Sequence, residues 1–567
     1  MSADTDSTRS AADDAAAAPL DLLLTAAATG ILRRLNPGGS GLRLAAALAA
    51  RPRLVAGRGG RLAGELARIA VGRSQLQPSR RDRRFADPAW TGNPLLRRTV
   101  QAYLAAAQSA EGVLAEAGLD EKDSERVGFV LTNLIDALAP SNNPVLNPAA
   151  VKAALDTGGG SAIKGLQHFV ADMAVPPRVP SMVEPDAFEV GMDLAVTPGS
   201  VVLRTPVFEL IQYRPVTAAV RPVPLLIVPP VINKFYVLDL APGRSMVEYL
   251  VGQGLQVFMI SWRNPDARQA SWDLDTYGQA VLDAMDATER ITGSQQTVLA
   301  GTCSGGILAA MVAAHLADTG QQHRIAALTL MVTVLDQAAA GLASAVIDER
   351  TARLAAAASR ARGYLDGRSL AEAFAWLRPN DLIWNYWVNN YLLGRKPPPF
   401  DILFWNADTT RMTAGLHRDF LQLGAANTLV KPGGATMLGS PVDLAAVDSD
   451  SYIVAGITDH ICPWQSCYRS TQLLSGRQRF VLSTSGHVAA MVNPAGNDKA
   501  RYQLAKDCPE DPREWLRHAE TCHGSWWPDY ASWLAERCGD EQAAPADLGG
   551  GGLAPIGAAP GSYVYDR

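Results

Sequence analysis

The sequence predicts an α/β fold: a mainly parallel sheet covered by helices, preceded by a helical domain. Three observations predict it. After about residue 200, short β-branched runs alternate with amphipathic helical stretches, the pattern of parallel strands joined by helical crossovers. One of those runs, "TVLAG" at 297–301, passes directly into "GTCSGG", a turn with glycines two residues either side of Cys303, and then into the helical "ILAAMVAAHLA". Before about residue 190, Ala/Leu-rich helical segments are broken by turn signals such as "ADPAWTGNP" and "APSNNPVLNPAA".

In chain order, residues 1–18 are polar and acidic and predict a disordered tail, and 19–195 predict the mainly helical domain. Residues 196–567 predict the α/β domain. Its clearest strands are "PLLIVPP" (224–230), "LQVFMISW" (255–262), "TVLAG", "AALTLMVTV" (326–334), "SYIVAG" (451–456) and "RFVLSTS" (479–485). The long interval between the fourth and fifth predicts a cap insertion at about 337–440, over the strand ends where such sheets bind ligands. Its aromatic band, "LIWNYWVNNYLLGRKPPPFDILFWNADTT", fits core or subunit contact and an apolar channel equally. The run "GGGG" (549–552) reads as a linker before a short tail.

The composition of the 567 residues is 48 % hydrophobic and 19 % charged, with net charge −5, which gives no reason to expect nucleic acid as the partner. Thirteen arginines stand against only Glu65 and Asp82 between Arg33 and Arg84, a pattern that favours a solvated arginine face over a surface that docks on an anionic or lipid-like interface. The acidic start is unlike a secretory signal, and apolar runs such as "PLDLLLTAAATGIL" fall short of the ~20 residues of a membrane span, so no transmembrane segment and a cytoplasmic location are expected. The six cysteines show neither a disulfide framework nor paired C-x-x-C spacing, so no metal site is expected.

The Gly-x-Cys-x-Gly turn carries the chemistry. A nucleophile on a strained strand-to-helix turn needs small residues on either side, and only Cys303 has the correct frame; Ser304 is flanked by Thr302 and Gly306. Partners in this topology follow in the order acid, then histidine. Asp459 lies just past "SYIVAG" and His487 just past "RFVLSTS", both at strand carboxyl ends, the same edge as Cys303. His487 is then the general base and Asp459 the group that orients it. His460, beside Asp459, is the competing histidine and fits a supporting role. For an oxyanion hole, Ser304 offers one backbone N–H, and the loop "PPVINKFYVLDL" offers the second from Ile232 or its neighbour Val231. A thiol here, where serine makes esterases, suits thioester exchange: the acyl group stays activated until an alcohol takes it.

Beyond the elbow, the stretches "DRRFADPAW", "MDLAVTPGSVVLRTPVFELIQY", "VPPVINKFYVLDLAPGRS", "SWRNPD", "FDILFWNADTT", "GITDHICPWQSCYRST" and "RFVLSTSGHVAAMVNP" resemble polyhydroxyalkanoate synthases over about residues 80–500. The length and the ending "APGSYVYDR" are similar to the single-subunit type, and "LAVTPG" and "VFELIQY" lean toward synthases of medium-length monomers. The resemblance implies an α/β-hydrolase fold with a cap and an acyltransferase that polymerises (R)-3-hydroxyacyl-CoA into polyester. It also implies a homodimer at the surface of cytoplasmic polyester granules, with the growing chain as partner and no cofactor, CoA thioester being substrate. By motif, it makes Cys303 the acylated nucleophile, His487 the base and Asp459 the third member. The same residues also fit a thioesterase or polyester depolymerase, and a non-catalytic granule-associated protein would need none of them.

Overall fold

The computed structural model describes residues 24, 27–28, 36–80, 82–337, 349–376 and 378–567. The expected tail at 1–18 and the insertion residues 338–348 lie outside these. The chain divides into two units. One comprises 29–184 with 369–399; the other comprises 1–28, 185–368 and 400–567.

The first unit is helical because its turn signals are helix starts. In "GNPL" and "LNPAA", asparagine is the N-cap and proline the first helical residue, where the missing N–H costs nothing. Asn93 accepts from the Leu95 N–H at 2.9 Å ahead of helix Pro94–Glu116, and Asn147 accepts from the Ala149 N–H at 3.0 Å ahead of Pro148–Asp156. Asp120 caps Glu121–Ala137 in the same way. The arginines do more than coat a surface. Arg43 pairs with the buried Asp123 and Arg58 with Glu116, while Arg84 pairs with both Asp82 and Asp136 at 2.9 Å. They tie the arginine-rich segment to the helices that follow it. Segment 369–399, which the sequence assigns to the cap, joins this unit through its aromatics. Phe169 meets Tyr391 edge-on at 5.4 Å, and Trp387 packs against Trp384 and Tyr391. That half of the aromatic band is packing in a helical unit.

The second unit is built on an eleven-stranded sheet. In chain order its strands are β1 (Gly199–Arg204), β2 (Phe208–Tyr213), β3 (Leu225–Val228), β4 (Val257–Trp262), β5 (Thr297–Thr302), β6 (Ile325–Met331), β7 (Ser451–Gly456), β8 (Gln478–Ser483), β9 (Arg501–Leu504), β10 (Glu520–His523) and β11 (Gly557–Ala558). Their order across the sheet is β10-β9-β8-β7-β6-β5-β3-β4-β2-β1-β11. The six strands legible in the sequence are the parallel centre, β4-β3-β5-β6-β7-β8, and the outer pairs are antiparallel. Strands β3, β4, β5 and β7 are buried at every residue, as parallel strands covered on both faces must be. The order reverses between β3 and β5, and that crevice is where the elbow opens. Among the described residues, no helix is long and apolar enough to cross a membrane.

The glycine run is not a linker. Gly549 to Gly552 all have positive φ, and Cβ atoms on Gly550 and Gly551 would lie 2.7 and 2.3 Å from the Ile291 and Arg290 carbonyl oxygens. The run is a tight turn that lays β11 against β1. The residues beyond are anchored by Glu209, a fully buried carboxylate on β2. It accepts from the Ser562 N–H (2.8 Å), the Ser562 hydroxyl (2.7 Å), the Tyr563 N–H (2.9 Å) and Arg204 Nε (2.7 Å). Burial pushes this carboxyl up, but the Tyr563 and Ser562 donors with Arg204 outweigh it and hold it below the usual carboxylate value. Such a group adds stability above its unfolded pKa, and the contribution is lost as pH falls through the lower folded value. Glu209→Gln is therefore expected to cost about 2 kcal/mol at pH 7. The gap from the wild type should close below about pH 4. Urea unfolding at the two pH values measures it.

Candidate active site

β5 ends at Thr302 and helix Ser304–Asp318 begins two residues later, so Cys303 carries the reversal. Its φ of 50° and ψ of −120° are a conformation that side chains other than glycine rarely hold. The turn closes only because its neighbours are bare. A Cβ on Gly301 would lie 2.4 Å from Gly306 Cα, one on Gly305 2.3 Å from the Val228 carbonyl oxygen, and one on Gly306 2.0 Å from Thr333 Oγ1. The Cys303 N–H donates to the Met331 carbonyl at 2.9 Å, which pins the elbow to β6. Just past β6, Val332 has φ 45°, a second strained residue that sets Thr333 under the elbow. The Ser304 hydroxyl accepts from the Val231 N–H at 3.1 Å, so it braces the loop after β3. The Val231 amide is thereby committed, and Ile232 follows it, buried, in the same loop.

Asp459 and His487 sit three and four residues beyond the ends of β7 and β8. Their loops are laced together, the Ile457 N–H donating to the Ser483 carbonyl at 2.8 Å and the Thr458 N–H to that of Ser485 at 3.2 Å. The buried Asp459 carboxylate is saturated. Oδ1 accepts from the Ile461 and Cys462 N–H groups at 2.8 and 2.9 Å, and Oδ2 meets His487 Nδ1 at 2.7 Å. From behind, the Trp526 and Trp527 indoles donate to the Ala490 and Met491 carbonyls of the short helix His487–Met491.

The structure thus brings Cys303, His487 and Asp459 together, and adds a residue that sequence spacing missed. Cys303 Sγ, Cys462 Sγ and a His487 ring nitrogen all lie within 4.8 Å of one another. With Nδ1 on Asp459, the nitrogen facing the sulfurs is Nε2. His460 is half-buried beside Asp459 and is not one of these grouped donors. The only local trace of Cys462 is its place three residues after Asp459, where the carboxylate curls the chain by accepting its N–H.

The electrostatics favour a charged pair. The Cys462 thiol, then His487 and the Ser304 N–H, hold the Cys303 thiol well below its ordinary value against the opposing effect of burial. Burial pushes His487 down, but the Asp459 carboxylate and the Cys303 sulfur overcome it and raise the ring to about 10. Cys462 goes the other way, driven well above the usual thiol value by its neighbour Cys303 and by burial. Two other histidines are held by packing contacts: His315 Nδ1 meets Ser440 Oγ at 3.0 Å, and His417 is buried against Ser359 at 2.7 Å.

A parallel sheet in this order, with a nucleophile elbow after β5 and acid and histidine after β7 and β8, defines an enzyme of the α/β-hydrolase fold. Residues 233–494 match the family described as the alpha/beta hydrolase fold, and residues 81–250 match the poly-beta-hydroxybutyrate polymerase (PhaC) N-terminus. The chain is 46 % identical over 506 residues to poly(3-hydroxyalkanoate) polymerase 2 of Ectopseudomonas oleovorans, covering 89 % of this chain and 90 % of that protein. It is 40 % identical over 508 residues to the poly(3-hydroxyalkanoate) polymerase subunit PhaC of Cupriavidus necator, covering 88 % and 85 %. The chain belongs to the poly(3-hydroxyalkanoate) polymerase family, whose members are acyltransferase-type enzymes.

The lowered Cys303 thiol has a direct readout. Limiting iodoacetamide at pH 7 should label Cys303 ahead of the buried Cys462, Cys467 and Cys538, as peptide mass spectrometry would show. Asp459→Asn should move the acid limb of the labelling rate to higher pH, because the imidazolium that holds the thiol down loses its carboxylate partner.

Proposed function

We propose that this chain polymerises (R)-3-hydroxyacyl-CoA into polyester, releasing CoA, by covalent catalysis at Cys303. The observation that carries it is the continuous line from the Asp459 carboxylate through His487 to a thiol on a nucleophile elbow, in a chain of this family. His487 Nε2 takes the Cys303 proton, and the thiolate attacks the thioester carbonyl carbon. The N–H groups of Ser304, at the start of its helix, and Ile232 receive the developing oxyanion; Val231 is unsuited because its amide is held by the Ser304 hydroxyl. The carbon–sulfur bond to CoA breaks, and the departing thiolate takes the proton back from His487.

The acyl group now rests on Cys303 as a thioester of the same energy class. The 3-hydroxyl of another acyl unit gives its proton to His487 and attacks, forming the oxoester bond as the Cys303 thiolate leaves. The downhill step is thioester to oxoester, which is why a thiol serves where serine would trap the acyl group as a stable ester. Family membership supports work at the surface of a polyester granule. No metal or redox group has a part in these steps.

A chain-length series of (R)-3-hydroxyacyl-CoA substrates tests the assignment, with CoA release and polymer measured together. Polymer with stoichiometric CoA is expected from the wild type, and free hydroxy acid alone would identify a thioesterase instead. Cys303→Ala should abolish CoA release, and Cys303→Ser should be severely impaired. Asp459→Asn should fold normally and lose about 10⁴-fold in turnover, the cost of misorienting the histidine.

A further inference from the structure

We propose that the three donors around the elbow, Cys303 Sγ, Cys462 Sγ and His487 Nε2, form a binding site for a thiophilic divalent cation of the Zn²⁺ class, and that its occupancy shuts the active centre. The binding half stands on geometry alone; the inhibitory half rests on Cys303 being the nucleophile.

Two sulfurs and one imidazole are a donor set that zinc selects over the oxygen-seeking Mg²⁺ and Ca²⁺. Zn–S bonds of about 2.3 Å and a Zn–N bond of about 2.0 Å place tetrahedral ligand atoms about 3.5–3.8 Å apart. Here the three atoms already lie within 4.8 Å of one another, so small side-chain rotations suffice to close on an ion. Each donor comes from the segment that follows a different central strand, β5, β7 and β8.

The surroundings are those of a metal ligand set as much as of a triad. The 2.7 Å contact from Asp459 to His487 Nδ1 fixes the ring with Nε2 presented inward, as in carboxylate–histidine–zinc arrangements. The other Asp459 oxygen holds the Cys462 N–H, so one carboxylate positions two of the three donors. All the charge is accounted for: the cation enters as Cys462 and His487 release one proton each, and two thiolates with a neutral imidazole balance its two positive charges. An ion so held ties up the Cys303 electron pair and excludes acyl-CoA. Spacing gives no hint of the site, because its ligands stand at 303, 462 and 487.

The test uses Cd²⁺ as an optical probe on the metal-free full-length chain, and Zn²⁺ in the polymerisation assay. Wild type should take up one Cd²⁺ with a thiolate-to-cadmium charge-transfer band, and Zn²⁺ should inhibit in competition with acyl-CoA, reversed by EDTA. Cys462→Val should weaken Cd²⁺ binding at least about 100-fold, since even second-shell changes cost 10–100-fold. Cys462→Ser, with native circular dichroism, guards against misfolding, and Cys467→Val should leave the band unchanged. A wild type without the band at one equivalent, or a Cys462→Val chain that binds Cd²⁺ as tightly as wild type, overturns the proposal. Polymer made by Cys303→Ala would instead overturn the catalytic assignment, and leave the cadmium titration to decide the site by itself.

Discussion

Cys303 is held at positive φ between a fully buried strand and an almost fully buried helix, and the rest of the active centre is arranged round that strain. Such a conformation costs of the order of 1–3 kcal/mol and persists only where the surroundings over-determine it. Here they do so by contact. Gly301, Gly305 and Gly306 let β3, β6 and the elbow helix approach to distances that no side chain permits, and the Met331 carbonyl takes the Cys303 N–H. The resulting turn places the Ser304 N–H beside the thiol, so that the two are products of one backbone geometry.

Asp459 is the second fixed point. A buried carboxylate is tolerable only when its lone pairs are satisfied, and two backbone N–H groups and the His487 ring satisfy these. The arrangement orients the His487 ring, raises its affinity for a proton and folds the following loop so that Cys462 faces Cys303. Two thiols and an imidazole therefore meet at one edge of the sheet. The same concentration of soft donors is what attracts a thiophilic cation.

Polar ties of the same kind organise the helical unit. Several of its arginines face carboxylates on later helices, Arg84 reaching both its neighbour Asp82 and Asp136, so a composition that looked like surface charge acts partly as internal bracing. Exposed pairs of this sort contribute little singly, and the buried Asp123 and Asp136 are where such ties matter. The aromatic segment around Trp387 interlocks with Phe169, which explains its grouping with these helices in place of the α/β unit that flanks it in sequence.

The division between sequence and structure follows the range of the interactions. Short-range patterns were legible: six β-rich runs became the six central strands, Asn-Pro steps became capped helix starts, and "GTCSGG" became the elbow because its glycines act on neighbours along the chain. Asp459 and His487 could be found because the topology puts strand ends on one edge in a known order. Strands β1 and β2 were not separable by pattern, since "FELIQY" is buried on both faces and shows no alternation. The glycine turn at 549–552, the Glu209 anchor, the unit joined by Trp387 and the approach of Cys462 to Cys303 depend on partners far away in the chain. The sequence by itself determined the strand–elbow–helix and the place of its thiol, because those are set by residues adjacent to one another. Only the tertiary structure decided which loop amide meets the Ser304 hydroxyl and which second sulfur stands beside the first, because both depend on loops meeting from separate strands.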